Sequence, residues 1–173
     1  MVNNNENLKY SVEFAVKDDI GQIAEVYSEW SKFKGILPDE LIKPDTVEDL
    51  GQYFDGSNKS RKYLVARAGG EILGVCYLDI TYIDLGCVRL GDAMVREGYR
   101  GIGIGTKAIR EIVKFARENK VKKIWFWTQQ ELSGAIRLYE NRGFILEGRQ
   151  AGQFCGKDAL LYGMIMSGQE FDY

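Results

Sequence analysis

The sequence has no histidine among its 173 residues. That absence removes histidine general bases, Cys–His nucleophilic dyads and most zinc sites, because each needs an imidazole. Any chemistry must come from carboxylates, tyrosine, lysine, serine, cysteine, backbone amides or a bound cofactor. Proline is nearly absent too: both prolines fall between Lys32 and Pro44, which reads as a loop with at most short helical turns. Cys76, Cys87 and Cys155 form no C-x-x-C pair, and Cys76 sits in an apolar run as a small core residue. No apolar stretch approaches the ~20 residues of a membrane-spanning helix, and the Asn-rich start lacks a signal peptide's hydrophobic region. A formal net charge of -2 provides no basic footprint for nucleic acid or anionic membrane. These absences predict a cytoplasmic protein with no nucleic acid, membrane or metal as partner, and they leave it open as a monomer or homodimer.

What is present suits one globular domain over residues 1–173, with residues 1–9 as a flexible tail. A chain of this size buries roughly 70% of its unfolded surface, enough for a core without covalent staples. Its 45% hydrophobic and 28% charged content is ordinary for such a domain. Residues 10–16 read as a first strand. Asp18 and Asp19 are placed to cap a helix whose apolar face is Ile20, Ile23, Tyr27 and Trp30. Asp45 to Leu50 reads as a second helix start, with acids in its first turn. Strands are predicted from Tyr63 to Ala66 and from Ile72 to Ile80, joined by a Gly69-Gly70 turn. A third runs from Val88 to Val95. Ile109, Ile112, Val113 and Ala116 then mark a clear amphipathic helix. Ile124 to Trp127 is a short strand, and Ser133 is the expected N-cap of a helix that Gly143 stops. Phe144 to Leu146 and Leu160 to Met166 complete the order β-α-α-β-β-β-α-β-α-β-β. That order predicts an α/β (α+β) fold, a mixed sheet with helices on both faces.

The informative segment runs from Met94 to Thr106. Gly101, Gly103 and Gly105 alternate there, just ahead of the amphipathic helix. Glycines let the backbone approach a ligand closely, and the helix start adds free N–H groups and a positive dipole end. Together these make a cradle for a pyrophosphate. Other readings of the turn exist. Gly103 to Ala108 fits the G-x-G-x-x-A form of a dinucleotide fingerprint. However, the polar run Arg96 to Gly101 separates it from its strand, and no acid closes a βαβ unit about 20 residues on. No G-x-x-x-x-G-K-[ST] phosphate loop is present. A purely structural turn would explain one or two of the glycines.

Two motifs together carry a family resemblance. Arg100, Gly103 and Gly105 match Q/R-x-x-G-x-G/A, and Val95-Arg96-Glu97-Gly98-Tyr99-Arg100-Gly101 is similar to the V-x-x-x-Y-R-G lead-in. Ala135 to Phe144 is similar to A-x-x-L-Y-x-x-x-G-F. In both respects the chain resembles the GNAT N-acetyltransferase family, and the element order extends the likeness over nearly its whole length. The resemblance implies a GNAT-like, mainly antiparallel twisted sheet. It also implies acetyl-CoA as cosubstrate and direct acetyl transfer to a primary amine of a small molecule or protein. A non-catalytic acyl-CoA-binding sensor is the alternative. The implied cofactor contacts are Met94, Val95, Arg100, Gly101, Ile102, Gly103, Ile104, Gly105 and Thr106, with amides near Met94 and Val95 polarising the thioester carbonyl. Leu132 stands where many members carry an asparagine, so either Gln129, Gln130 or Ser133 substitutes or the contact is absent.

Tyr139 occupies the family's general-acid position and, with a reference pKa of about 10, is protonated at neutral pH. Asp92, on the strand leading to the turn, is a candidate base beside Asp84 and Glu131, and an ordered-water relay without a dedicated base is an equal alternative. As Asp92 and Met94 are two apart, strand alternation puts them on one face. The segment from Trp30 to Gly56 resembles the family's variable lid over the acceptor cleft. Its acids Asp39, Glu40, Asp45, Glu48, Asp49 and Asp55 would steer a cationic amine or simply form a solvated face. Trp127 is a candidate lining residue of the acceptor or pantetheine channel.

Overall fold

Seven strands form one sheet in the order β1-β2-β3-β4-β5-β7-β6. The computed structural model describes residues 8–35, 37–39, 42 and 45–166. Along the chain these are β1 (Ser11–Phe14), α1 (Ile20–Ser28), α2 (Val47–Phe54), β2 (Arg61–Ala68), β3 (Glu71–Asp79) and β4 (Cys87–Val95). They continue with α3 (Ile104–Glu118), β5 (Lys123–Thr128), α4 (Ser133–Glu140), β6 (Ile145–Phe154) and β7 (Lys157–Ile165). The sequence of strands and helices is the one expected. Every neighbouring pair is antiparallel except β4 and β5, which run parallel with α3 as the crossover.

The helices divide between the two faces. Ile109, Ile112, Val113, Phe115 and Ala116 of α3 pack with Tyr139 of α4 on Leu64, Leu78, Val88, Ile124 and Met164. On the opposite face, Ile23, Val26 and Tyr27 of α1 and Leu50 of α2 cover Tyr63, Val65, Val75, Tyr77 and Met94. Such burial contributes roughly 1.5–3 kcal/mol per large side chain, offset by the entropy of ordering it. No helix among the described residues is long and apolar enough to cross a membrane.

Several local expectations change. Asp19 does not cap α1 with its side chain. Its carboxylate turns back to accept from Val16 N at 2.9 Å and from Arg67 Nη2 at 2.7 Å. Trp30 lies beyond α1, in a 3-10 turn over Glu29–Phe33. Thr46 caps α2 instead, accepting from Asp49 N while Asp49 returns a carboxylate to Thr46 N, a reciprocal capping box. Ser133 is the first residue of α4 rather than its cap, because the Leu132 N to Gln129 O turn delivers Leu132 to that place. Gly143, at φ 88°, follows the end of α4 in the left-handed region as expected. β6 is far longer than the expected Phe144 to Leu146, whereas β7 matches the expected Leu160 to Met166 apart from starting three residues earlier and ending one sooner. Of the tail expected over 1–9, residues 1–7 lie outside the described residues, while Leu8 packs beside Ala66, Leu73 and Ile104.

Candidate active site

The parallel ladder between β4 and β5 holds only from Cys87–Lys123 to Arg89–Trp125. Beyond that point the two strands continue without pairing, and cavities fill the gap. A bulge in β4 helps to form it. Tyr77 pairs with Gly91 and Val75 with Met94, so Asp92 and Ala93 together face the single residue Cys76. Asp92 takes a left-handed φ of 42°, a conformation that Asp tolerates better than most residues. The bulge reverses the alternation: Val88 and Leu90 belong to the α3 side of the core, whereas Met94 belongs to the α1 side. Simple two-residue periodicity therefore fails between Leu90 and Met94. Asp92 lies among Tyr27, Tyr77, Arg61 and Arg89 on the α1 side.

The larger cavity, about 680 Å³, runs along the glycine turn between α3 and α4. Its wall includes Met94, Val95, Arg100, Gly101, Gly103, Ile104, Gly105 and Thr106. Gly101 (φ 82°) and Gly103 (φ 92°) need the left-handed region to turn the chain into α3. Gly105 is small for another reason, since a Cβ there would lie 2.5 Å from Leu138 Cδ2 of α4. The first helical bond is Lys107 N to Gly103 O at 3.0 Å, so the N–H groups just ahead of it have no partner within the helix. They form the positive end of a 15-residue helix dipole. Ile104 is buried beside Ala66 and Leu73 and anchors the turn, while Ile102 O accepts from Tyr10 Oη at 3.3 Å. Arg100 folds back so that its Nε donates to Val95 O at 2.9 Å. Lys107 Nζ, in the first turn of α3, donates to Tyr10 O at 2.8 Å.

The smaller cavity, about 250 Å³, opens on the α1 side of the same gap. Tyr27, Asp45, Arg89, Asp92, Trp127 and Phe154 are on its wall. The two cavities share Trp30, Leu90, Ala93, Leu132, Ala135 and Tyr139. Tyr139 packs its ring on Phe126, with centroids 4.2 Å apart, and burial raises its hydroxyl's pKa well above the usual phenol range. Asp92 is open to the cavity rather than packed in the core. Its concave, poorly solvated surroundings still raise its carboxyl above the usual range, and the Asp45 charge adds to this. Arg61 and Arg89 oppose that rise. Burial pushes the Cys76 thiol up to about 12, which removes it as a nucleophile near neutral pH.

Of the alternative acids, Asp84 is on the wall of neither cavity. Glu131 reaches the larger one and ion-pairs with Lys157 at 3.7 Å. Around Leu132 the polar residues divide: Gln129 borders the smaller cavity, Ser133 the larger, and Gln130 neither. Three acids of the expected lid are engaged nearby. Asp45 pairs with Arg61 at 3.4 Å, Asp49 serves the α2 cap, and Asp55 accepts from Ser57 N. Glu40 lies outside the described residues. Sequence reasoning missed Arg89 and the hydroxyl of Tyr27. A charged residue between the buried Val88 and Leu90, in the strand that also carries Asp92, was the available signal for the first. Tyr27 looked like any other member of a helix face.

The sequence profile described as the acetyltransferase (GNAT) family matches residues 23–144. An uncharacterized N-acetyltransferase of Methanocaldococcus jannaschii is 23% identical over 141 residues, covering 78% of this chain. The chain spans 60% of that relative's length. A Salmonella typhimurium structure solved with its cofactor acetyl-CoA superposes with a TM-score of 0.77 at 16% identity, over 94% of this chain and 96% of the other. An N-acetyltransferase of Thermoplasma acidophilum in complex with coenzyme A gives a TM-score of 0.76 at 18% identity, over 91% and 99% respectively. At such identities the superpositions speak for the fold.

Proposed function

The chain belongs to the GNAT acetyltransferase family, and from that premise we propose that it moves an acetyl group from acetyl-CoA directly to a primary amine. The observation that carries this reading is the wall shared by the two cavities. A long donor cleft and a compact acceptor cavity meet at Tyr139, Ala93 and Leu132. The α3 amides and the glycine turn hold the pyrophosphate. The pantetheine arm follows the cleft between α3 and α4, bringing the thioester to the end of β4. Backbone amides near Met94 and Val95 polarise its carbonyl.

Asp92 takes a proton from the incoming ammonium, and the raised carboxyl pKa suits it to this task. The amine attacks the carbonyl carbon, the C–N bond forms, and the C–S bond breaks. Tyr139, held protonated by burial, donates its proton to the departing thiolate, and the second proton shed by the new amide nitrogen returns to it through solvent. Bringing donor and acceptor together in one gap supplies most of the acceleration, since the thioester is already activated.

The test is free-thiol release from acetyl-CoA over a panel of primary amines. Tyr139→Phe should lower turnover by about tenfold or more while leaving acetyl-CoA affinity unchanged; a loss below about twofold rejects the acid role. Binding of acetyl-CoA with no thiol released over a broad panel would instead mark a CoA-sensing domain.

A further inference from the structure

The wall of the smaller cavity carries three charged side chains among the described residues: Asp45, Arg89 and Asp92. Two of them are already balanced by partners off that wall. Asp45 is held by Arg61 at 3.4 Å, and Arg89 by Asp79 at 3.0 Å. Asp92 is exposed to the cavity and makes no ion pair with any described residue. Three carboxylates against two guanidiniums leave one negative charge without a counter-charge, at Asp92. A single ligand cation completes the balance. A second cation would face Arg61 and Arg89 with no acid left to receive it. A carboxylate fares no better, because Asp79 already neutralises Arg89 and the charge that remains on the wall is negative.

Between those charges the open surface is aromatic and aliphatic. Trp30, Trp127 and Phe154 are half-buried rings of the wall, with Leu132 and Ala135 beside them. Thr128 and Gln129 also border the cavity, but each is only 6% exposed. Trp127 is braced edge-on from two sides, its ring centroid 4.7 Å from that of Trp125 and 6.4 Å from that of Phe154. Trp30 rests on Phe33, with centroids 5.5 Å apart. Rings held in this way form a ready-made apolar surface, which receives a flat apolar body at little entropic cost. At about 250 Å³ the cavity also lies below the ~300–1,000 Å³ usual for drug-sized ligands.

We infer that the acceptor is a small arylalkyl monoamine, with its ammonium on Asp92 and its ring among Trp30, Trp127 and Phe154. This assignment rests on reading the cavity as the acceptor site. Asp45 and Asp79 set the specificity at one remove, because each cancels an arginine that would otherwise draw an anionic substituent.

The test is calorimetric titration of the whole chain, loaded with CoA, with phenethylamine and three relatives that each change one feature. Phenylalanine adds a carboxylate, 4-(aminomethyl)phenethylamine adds a second ammonium, and ethylamine lacks the ring. Phenethylamine should bind about tenfold or more tightly than each of them. Phe154→Ala should cut the advantage over ethylamine by about fivefold or more. The same variant should leave CoA affinity unchanged, since Phe154 borders the smaller cavity and not the larger. Asp79→Asn keeps an acceptor for Thr81 N but leaves Arg89 without its counter-charge. It should narrow the gap between phenylalanine and phenethylamine by about fivefold or more. Absence of phenethylamine binding overturns the inference, as does equal binding of any one relative. So does an unchanged ranking in Phe154→Ala or Asp79→Asn. Equal thiol release from acetyl-CoA with all four compounds would reject the arylalkyl monoamine and leave acetyl transfer standing. Binding in the expected order without thiol release would do the reverse.

Discussion

Leu138 of α4 occupies the space above Gly105 of α3 that any larger residue would need, with its Cδ2 2.5 Å from where a Cβ would sit. The third glycine of the turn therefore sets the spacing between the helix that follows the turn and the helix that carries Tyr139. A double-mutant cycle measures the coupling. Gly105→Ala should destabilise the protein, and Leu138→Ala should create a cavity. The pair together should cost less than the sum by about 0.5 kcal/mol or more, read from urea unfolding. Strict additivity would mean that the helices do not set each other's position there.

A second prediction concerns Asp19, which is 5% exposed and receives both Val16 N and Arg67 Nη2. Removing it strands two donors, so Asp19→Ala should cost about 2–3 kcal/mol in chemical denaturation. Arg67 also binds Glu13 at 2.9 Å, but that carboxylate is half-exposed. Glu13→Ala should cost less than about 1 kcal/mol. Similar losses for both variants would show that burial of Asp19 is not what matters.

Asp92 yields a prediction in pH. Its carboxyl is raised in the folded protein, so the fold retains that proton to higher pH than the unfolded chain, where Asp titrates near 3.9. Stability from this group is therefore full below the unfolded value and is lost as pH rises through the folded one. Asp92→Asn, which tolerates the same left-handed backbone, should melt higher than the parent at neutral pH. The difference should vanish toward pH ~3.5, below the reference value. In the same variant kcat/KM should fall by about 100-fold or more, and the parent's acidic limb should disappear. Unchanged turnover would hand the proton to a water relay.

Gly91 provides a packing test. A Cβ there would run into the ring of Tyr77, which is itself fixed by Arg89 and by Arg61 over its face. Gly91→Ala should lower stability by about 1–3 kcal/mol, seen as a shift in the thermal midpoint. It should also displace Arg89 and so weaken whatever the smaller cavity binds.

The element order was legible because long elements announce themselves. The apolar spacing in α3 and the Gly69-Gly70 turn each name one structure. The last hairpin was less legible: β6 is an edge strand exposed along nearly its whole length, so its polar residues have no buried face to alternate against. The bulge at Asp92 was hidden for a related reason. Alternation assumes an unbroken ladder, and nothing in Gly91-Asp92-Ala93 shows the skipped residue. The glycine turn stood out by its alternating glycines, but the packing reason for Gly105 depends on Leu138, which is distant in sequence. Likewise the unpaired hydroxyl of Tyr27 is a property of its neighbours, which only the assembled sheet brings together.

The short ladder between β4 and β5 also bears on how the molecule resists force. Three registered residue pairs join those strands, against five in the β3–β4 hairpin on one side and six in the β6–β7 hairpin on the other. Loaded in a direction that peels β4 from β5, the sheet should part at this seam before either hairpin opens. Any ligand that spans the gap would then act as a mechanical clasp, raising the rupture force without touching either hairpin.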